Sequence, residues 1–179
     1  ETIVSSNIKK SLITESRYLG VTQLITFENM MGDYLNNNIE ITLPSITLKG
    51  NENIGDNTKN IETSNPSAKV VLSNIAIFKG DKLINYMSKD DSIALSFIDD
   101  KVVDSIISYE CSKNKYTVVR IIDANTDIRI KKNELKIIIN IKGNANLSET
   151  NWQVNLEKNE VIKKIEKNTN KEIEKMIMN

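Results

Sequence analysis

The sequence predicts an α+β protein: an antiparallel or mixed β-sheet with flanking helices, plus a smaller helical and strand unit on the N-terminal side. Three observations predict it. Apolar residues recur at helical spacing over the first fifty residues, and again from about Leu156. From Lys69 onward, β-branched and aromatic residues collect in short runs separated by turn residues. These strand-like runs follow one another instead of alternating with helices, which argues against a doubly wound parallel sheet.

Val4, Ile8 and Leu12 sit four apart and share one face of a first helix. A second helix is predicted after Ser16, its N-cap, with Val21, Leu24, Glu28, Met31 and Leu35 along one face and Ile25 widening it. The run Asn36-Asn37-Asn38 ends it, since asparagine tolerates the left-handed backbone. Ile39, Ile41 and Leu43 alternate with Glu40 and Thr42, a short strand closed by Pro44. Lys49 to Ser67 holds Ile54 and Ile61 among Asn, Gly, Thr, Ser and Pro, a solvated connection. It divides the chain into residues 1–68 and 69–179.

Val70 to Lys79 reads as a strand, Gly80-Asp81 as a turn and Lys82 to Met87 as the returning strand. A short helix is predicted at about Asp90 to Phe97. Strands follow at Val102 to Tyr109, Tyr116 to Asp123, Asp127 to Ile130 and Leu135 to Gly143. In the last, Leu135, Ile137, Ile139 and Ile141 face one side and Lys136, Asn140 and Lys142 the other, as in a sheet with one wet face. From about Leu156 a closing helix carries the stripe Ile162, Ile165, Thr169, Ile173 and Ile177. Glu160 and Lys164 lie on its charged outer side. Ile162, Ile165 and Ile173 are the candidate partner-contact residues.

Composition narrows the function. The 179 residues are 39% apolar and 27% charged, as in ordinary folded proteins. Lys+Arg and Asp+Glu both number 24, so the basic excess that phosphate backbones require is missing and no nucleic-acid partner is expected. The chain has no histidine, which removes Ser-His-Asp and Cys-His nucleophiles and His-ligated zinc. Its one cysteine, Cys111, cannot close an intrachain disulfide. The opening Glu1-Thr2-Ile3-Val4 is neither a signal peptide nor a lipidation site, and no stretch reaches the roughly 20 apolar residues of a membrane helix.

Asp123, Asn125, Asp127 and Glu134 fit positions 1, 3, 5 and 12 of a calcium loop, but Ile128 stands where the template needs glycine and Lys131 where a ligand belongs. A hairpin connection through Asp123-Ala124-Asn125 accounts for the segment better. The pairs Asp90-Asp91 and Asp99-Asp100 suit a helix start and a turn. Cys111 reads as a plain thiol and Trp152 as a core anchor. No catalytic, cofactor-binding or metal-binding residue is expected, and no cofactor.

The segment Val70 to Phe97 resembles the opening of the C-terminal region of the spore germinant receptor C subunits, the Ger(x)C lipoproteins. Ala76, Phe78, Lys79, Asp81, Lys82, Leu83 and Ser88 match its strand-turn-strand pattern, and Asp91-Ser92 its acidic-Ser pair. Asn74 and Asn85 replace two pattern glycines, and Ile93 and Ala94 replace an Arg-Gly. Pro44-Ser45-Ile46 upstream is similar to a family junction. Leu147-Ser148-Glu149 and the helix carrying Glu157 and Ile165-Glu166 are similar to its final strand and helix.

The resemblance implies a non-enzymatic subunit that works with two integral-membrane partners, A and B, so that small germinants trigger germination. It implies lipid anchorage at the outer face of the spore inner membrane. The chain then corresponds to the middle and C-terminal portion, a soluble piece without the family's first domain, its anchor cysteine or its continuation past the last helix. Two other readings stay open on the residues alone: a carboxylate-dependent hydrolase of spore peptidoglycan, and a small-ligand-binding domain.

Overall fold

A computed structural model describes residues 10, 12–13, 23–36, 39–51, 67–102 and 104–179. Lys10, Leu12 and Ile13 are helical, while Val4, Ile8, Ser16 and Val21 of the expected N-terminal helices lie outside the described residues. The second helix starts later than expected: residues 23–26 are not helical, and α1 runs Phe27–Leu35. Thr26 is its cap, because its hydroxyl accepts the Asn29 N–H at 3.2 Å and satisfies a donor that the first turn leaves free. Asn36 ends α1 with an extended backbone, φ −95°, not a left-handed one.

The first sheet has the order β1-β2-β3, from β1 (Ile41–Gly50), β2 (Ala68–Lys79) and β3 (Lys82–Tyr86), all antiparallel. Pro44 does not close its strand. β1 is an edge strand, where a residue lacking an N–H is tolerated, and the register shifts between Pro44 and Ile46 to pass it. Lys49 and Gly50, expected in the connection, belong to β1; residues 52–66 lie outside the described residues. Gly80, at φ +60°, makes the two-residue turn into β3.

Helix α2 (Lys89–Ile98) links this sheet to the next. It opens with a capping box: Ser88 Oγ accepts the Asp91 N–H at 3.1 Å, and Asp91 Oδ2 accepts the Ser88 N–H at 3.2 Å. One turn on, Ser92 Oγ donates to the Ser88 carbonyl at 2.8 Å and accepts the Ile75 N–H of β2 at 3.4 Å. Ile93 and Phe97, from the same helix, enter the second sheet's core.

That sheet has the order β4-β5-β6: β4 (Ser105–Ser112), β5 (Lys115–Lys131) and β6 (Lys136–Thr150), again antiparallel. The expected hairpin at Asp123-Ala124-Asn125 is absent. β5 runs straight through it with a register shift between Ile121 and Asp123, because Ala124 is buried opposite Gly143. The chain turns back at Lys132–Glu134 instead, with Leu135 left-handed at φ 49° and 94% exposed. Leu135 therefore belongs to the turn, not to the apolar face assigned to it. β6 also continues well past Gly143.

The terminal helix α3 (Asn159–Met178) starts slightly after Leu156 and packs on α2 and β4. Ile93, Phe97, Val102, Ile107, Tyr109, Val119, Ile121 and Ala124 form the buried core, with Ile141, Leu147, Ile165 and Ile173 against it. Each large apolar side chain removed from water there contributes about 1.5–3 kcal/mol. Among the described residues, antiparallel sheets flanked by α1, α2 and α3 make this the α+β architecture that the residue pattern predicts.

Candidate functional site, an apolar groove beside the last helix

Tyr109 fixes α3 to the sheet. Its hydroxyl donates to the Ile165 carbonyl at 3.1 Å and lies 3.4 Å from Thr169 Oγ1, which is oriented to donate. Burial pushes the Tyr109 hydroxyl above its ordinary value of 10.0, the Thr169 bond opposes this, and nearby Cys111 adds to the rise. Trp152 fixes the chain just before α3. Its Nε1–H donates to Thr117 Oγ1 at 3.2 Å, and the same oxygen is 2.8 Å from Cys111 Sγ. Trp152 and Cys111 are thus half-buried parts of one packed cluster.

Anchored on β4, α3 leaves much of the β5–β6 surface uncovered. β6 has 15 residues, about 50 Å of strand, whereas the 20-residue α3 is about 30 Å long. Between them lies a groove of about 900 Å³. Ile162, Ile165, Ile173 and Ile177 form the helix wall, and Ile137, Ile139 and Ile141 the sheet wall. The apolar surface continues onto the hairpin end, where Ile137 is 64% and Ile130 67% exposed. All three candidate contact residues face this groove. The sheet's share of it was hidden in the sequence, where an apolar face reads as core. The signal that could have revealed it is length, because the hairpin outreaches α3.

Among the described residues, two charged side chains line the groove, Glu166 and Glu174, both on the helix wall. Among the described residues no Lys or Arg lies within 4 Å of either carboxylate. The sheet wall offers Asn144 and Asn146 as its polar groups. Among the described lining residues, no carboxylate stands across the cleft from another.

Several other acidic residues are engaged elsewhere. Asp99 accepts from Gln23 Nε2 at 2.9 Å and from Lys101 Nζ at 3.2 Å, and Asp100 accepts the Thr126 N–H at 2.7 Å. Buried Asp104 is held in a forked contact by Arg120. In the calcium-like segment, Asp123 accepts the Asn144 N–H, Asp127 pairs with Arg129 and Glu134 with Lys131. Among the described residues no three His, Cys, Asp or Glu side chains converge on a metal position. No helix among them is long and apolar enough to cross a membrane.

The residues that carry the resemblance have structural work. Asp91 and Ser92 cap α2 and dock it on β2, and Ile93 and Ala94 are buried. Asn74 and Asn85 lie in β2 and β3 without positive φ, so the family's glycines are replaceable there. Neither a curated protein nor a solved structure matches the chain. A family model does, over residues 73–179, from the middle of β2 through α2, the second sheet and α3. With more than half of its length matched, the chain belongs to the family described as spore germination B3/GerAC like, C-terminal, whose members are germinant receptor subunits.

Proposed function

We propose that the protein is a non-enzymatic subunit of a spore germinant receptor, supporting germinant-triggered signalling with the membrane subunits A and B. In this reading the full-length protein is a lipoprotein on the outer face of the spore inner membrane. Residues 1–68 close an upstream domain, and 69–179 form the C-terminal region. The observation that carries it is the groove, in which exposed Ile162 and half-buried Ile165 and Ile173 make an apolar helix wall beside the isoleucines of the sheet. Such a surface suits a protein contact.

Association of the purified chain with detergent-solubilised A and B subunits tests this. Ile165→Asp should weaken it about tenfold or more, whereas Lys164→Glu, on the exposed side of α3, should change it little. Circular dichroism of each variant separates lost contact from lost fold. Association untouched by a folded Ile165→Asp variant, or peptidoglycan hydrolysis abolished by changing a carboxylate, would reject the proposal.

A further inference from the structure

We infer that the groove receives an amphipathic helix of a partner protein, with lysine or arginine flanking its apolar face opposite Glu166 and Glu174. This rests on the docking role proposed above and specifies the partner's chemistry. The charge of the lining carries the argument. Among the described residues, eight isoleucines supply an apolar floor and walls, and the two charges of the lining are both negative, with no lysine or arginine within 4 Å. Closing such a groove over an uncharged helix would remove two carboxylates from water without compensation, which is costly. A cation brought to each converts that cost into charge-assisted hydrogen bonds.

The geometry selects a helix over a strand. A strand added to β6 would bond in the plane of the sheet, whereas the groove lies over its face. Glu166 and Glu174 are eight residues apart on α3, about 12 Å along its axis, which a helix lying alongside matches with cations seven or eight residues apart. The same charges disfavour two alternatives. A second copy related by a two-fold axis through the groove would bring like carboxylates together, and an anionic lipid surface would be repelled.

The probes are two fluorescein-labelled synthetic helices of about 16 residues, some four turns, one built from leucine and lysine and the other from leucine and glutamate. The whole chain should bind the lysine peptide and not the glutamate peptide. Reversing both groove charges, Glu166→Lys with Glu174→Lys, should weaken the lysine peptide about tenfold or more and let the glutamate peptide bind. Glu160→Lys, outside the groove lining, should leave both within about twofold. Equal binding of the two peptides, no exchange of preference on reversal, or tighter binding to phosphatidylglycerol vesicles overturns the inference. If Ile165→Asp abolishes association with the A and B subunits but groove charge reversal does not, the docking role stands and the cationic helix falls.

Discussion

Gly143 shows how much one hydrogen in place of a side chain can decide. It sits in β6 opposite Ala124, and a Cβ there would overlap the Asp123 carbonyl oxygen, a backbone atom that cannot swing away. Gly143→Ala should cost about 1–3 kcal/mol, read as a lower midpoint in denaturant. Tyr109 gives a second prediction at this scale. Its raised pKa means that the unfolded chain loses the tyrosine proton first as pH climbs past 10.0. The stability this hydroxyl contributes is therefore complete below that pH and falls away above it. Tyr109→Phe should lower stability by about 1 kcal/mol at neutral pH, with a gap that narrows on the alkaline side. Stability measured for both proteins from pH 7 to 11 checks this, and a gap independent of pH would contradict it.

At the scale of elements, strand pairing joins what composition separates. The polar connection before Ser67 leads from β1 to β2, and those strands are ladder partners from Ile41 opposite Phe78 to Gly50 opposite Ala68. If limited proteolysis cuts first in this connection, as its composition suggests, the two pieces should stay together on a sizing column and separate in denaturant. A first cut elsewhere would move the proposed boundary. Local chemistry made several elements legible: Ser88 and Asp91 announced α2, Gly80-Asp81 the β2–β3 turn, and the isoleucine stripe α3. Others were decided by partners that the local sequence does not name. Asp123-Ala124-Asn125 has turn composition, yet the burial of Ala124 against Gly143 keeps it in a strand. Pro44 looks like a stop, yet an edge position accommodates it. Thr26 caps α1 where the pattern had offered no start, since a threonine hydroxyl can cap as a serine does and nothing local marks which one will.

Across the whole molecule, two sheets are coupled through α2, which is bonded to β2 at Ile75 and packed into the second sheet through Ile93 and Phe97. Ser92→Ala should therefore loosen the first sheet against the second more than it disturbs either alone. Hydrogen exchange would show faster exchange of the Ile75 amide, with the β5–β6 ladder protected as before; uniform loss of protection would argue against this coupling. The candidate groove could be read only in part from the sequence. Its helix wall follows from periodicity, but its openness depends on where α3 lies on the sheet, a matter of the angle set by Tyr109 and the junction before Asn159.

That junction has an optical consequence. Trp152 is the only tryptophan in the chain, so its emission comes from one place, the point where β6 gives way to α3. An occupant of the groove that tilts α3 far enough to pull on this junction would disturb the bond from the Trp152 indole to Thr117. Unlabelled protein should therefore signal occupancy by a change in its own fluorescence, which makes the resting and occupied states distinguishable in real time.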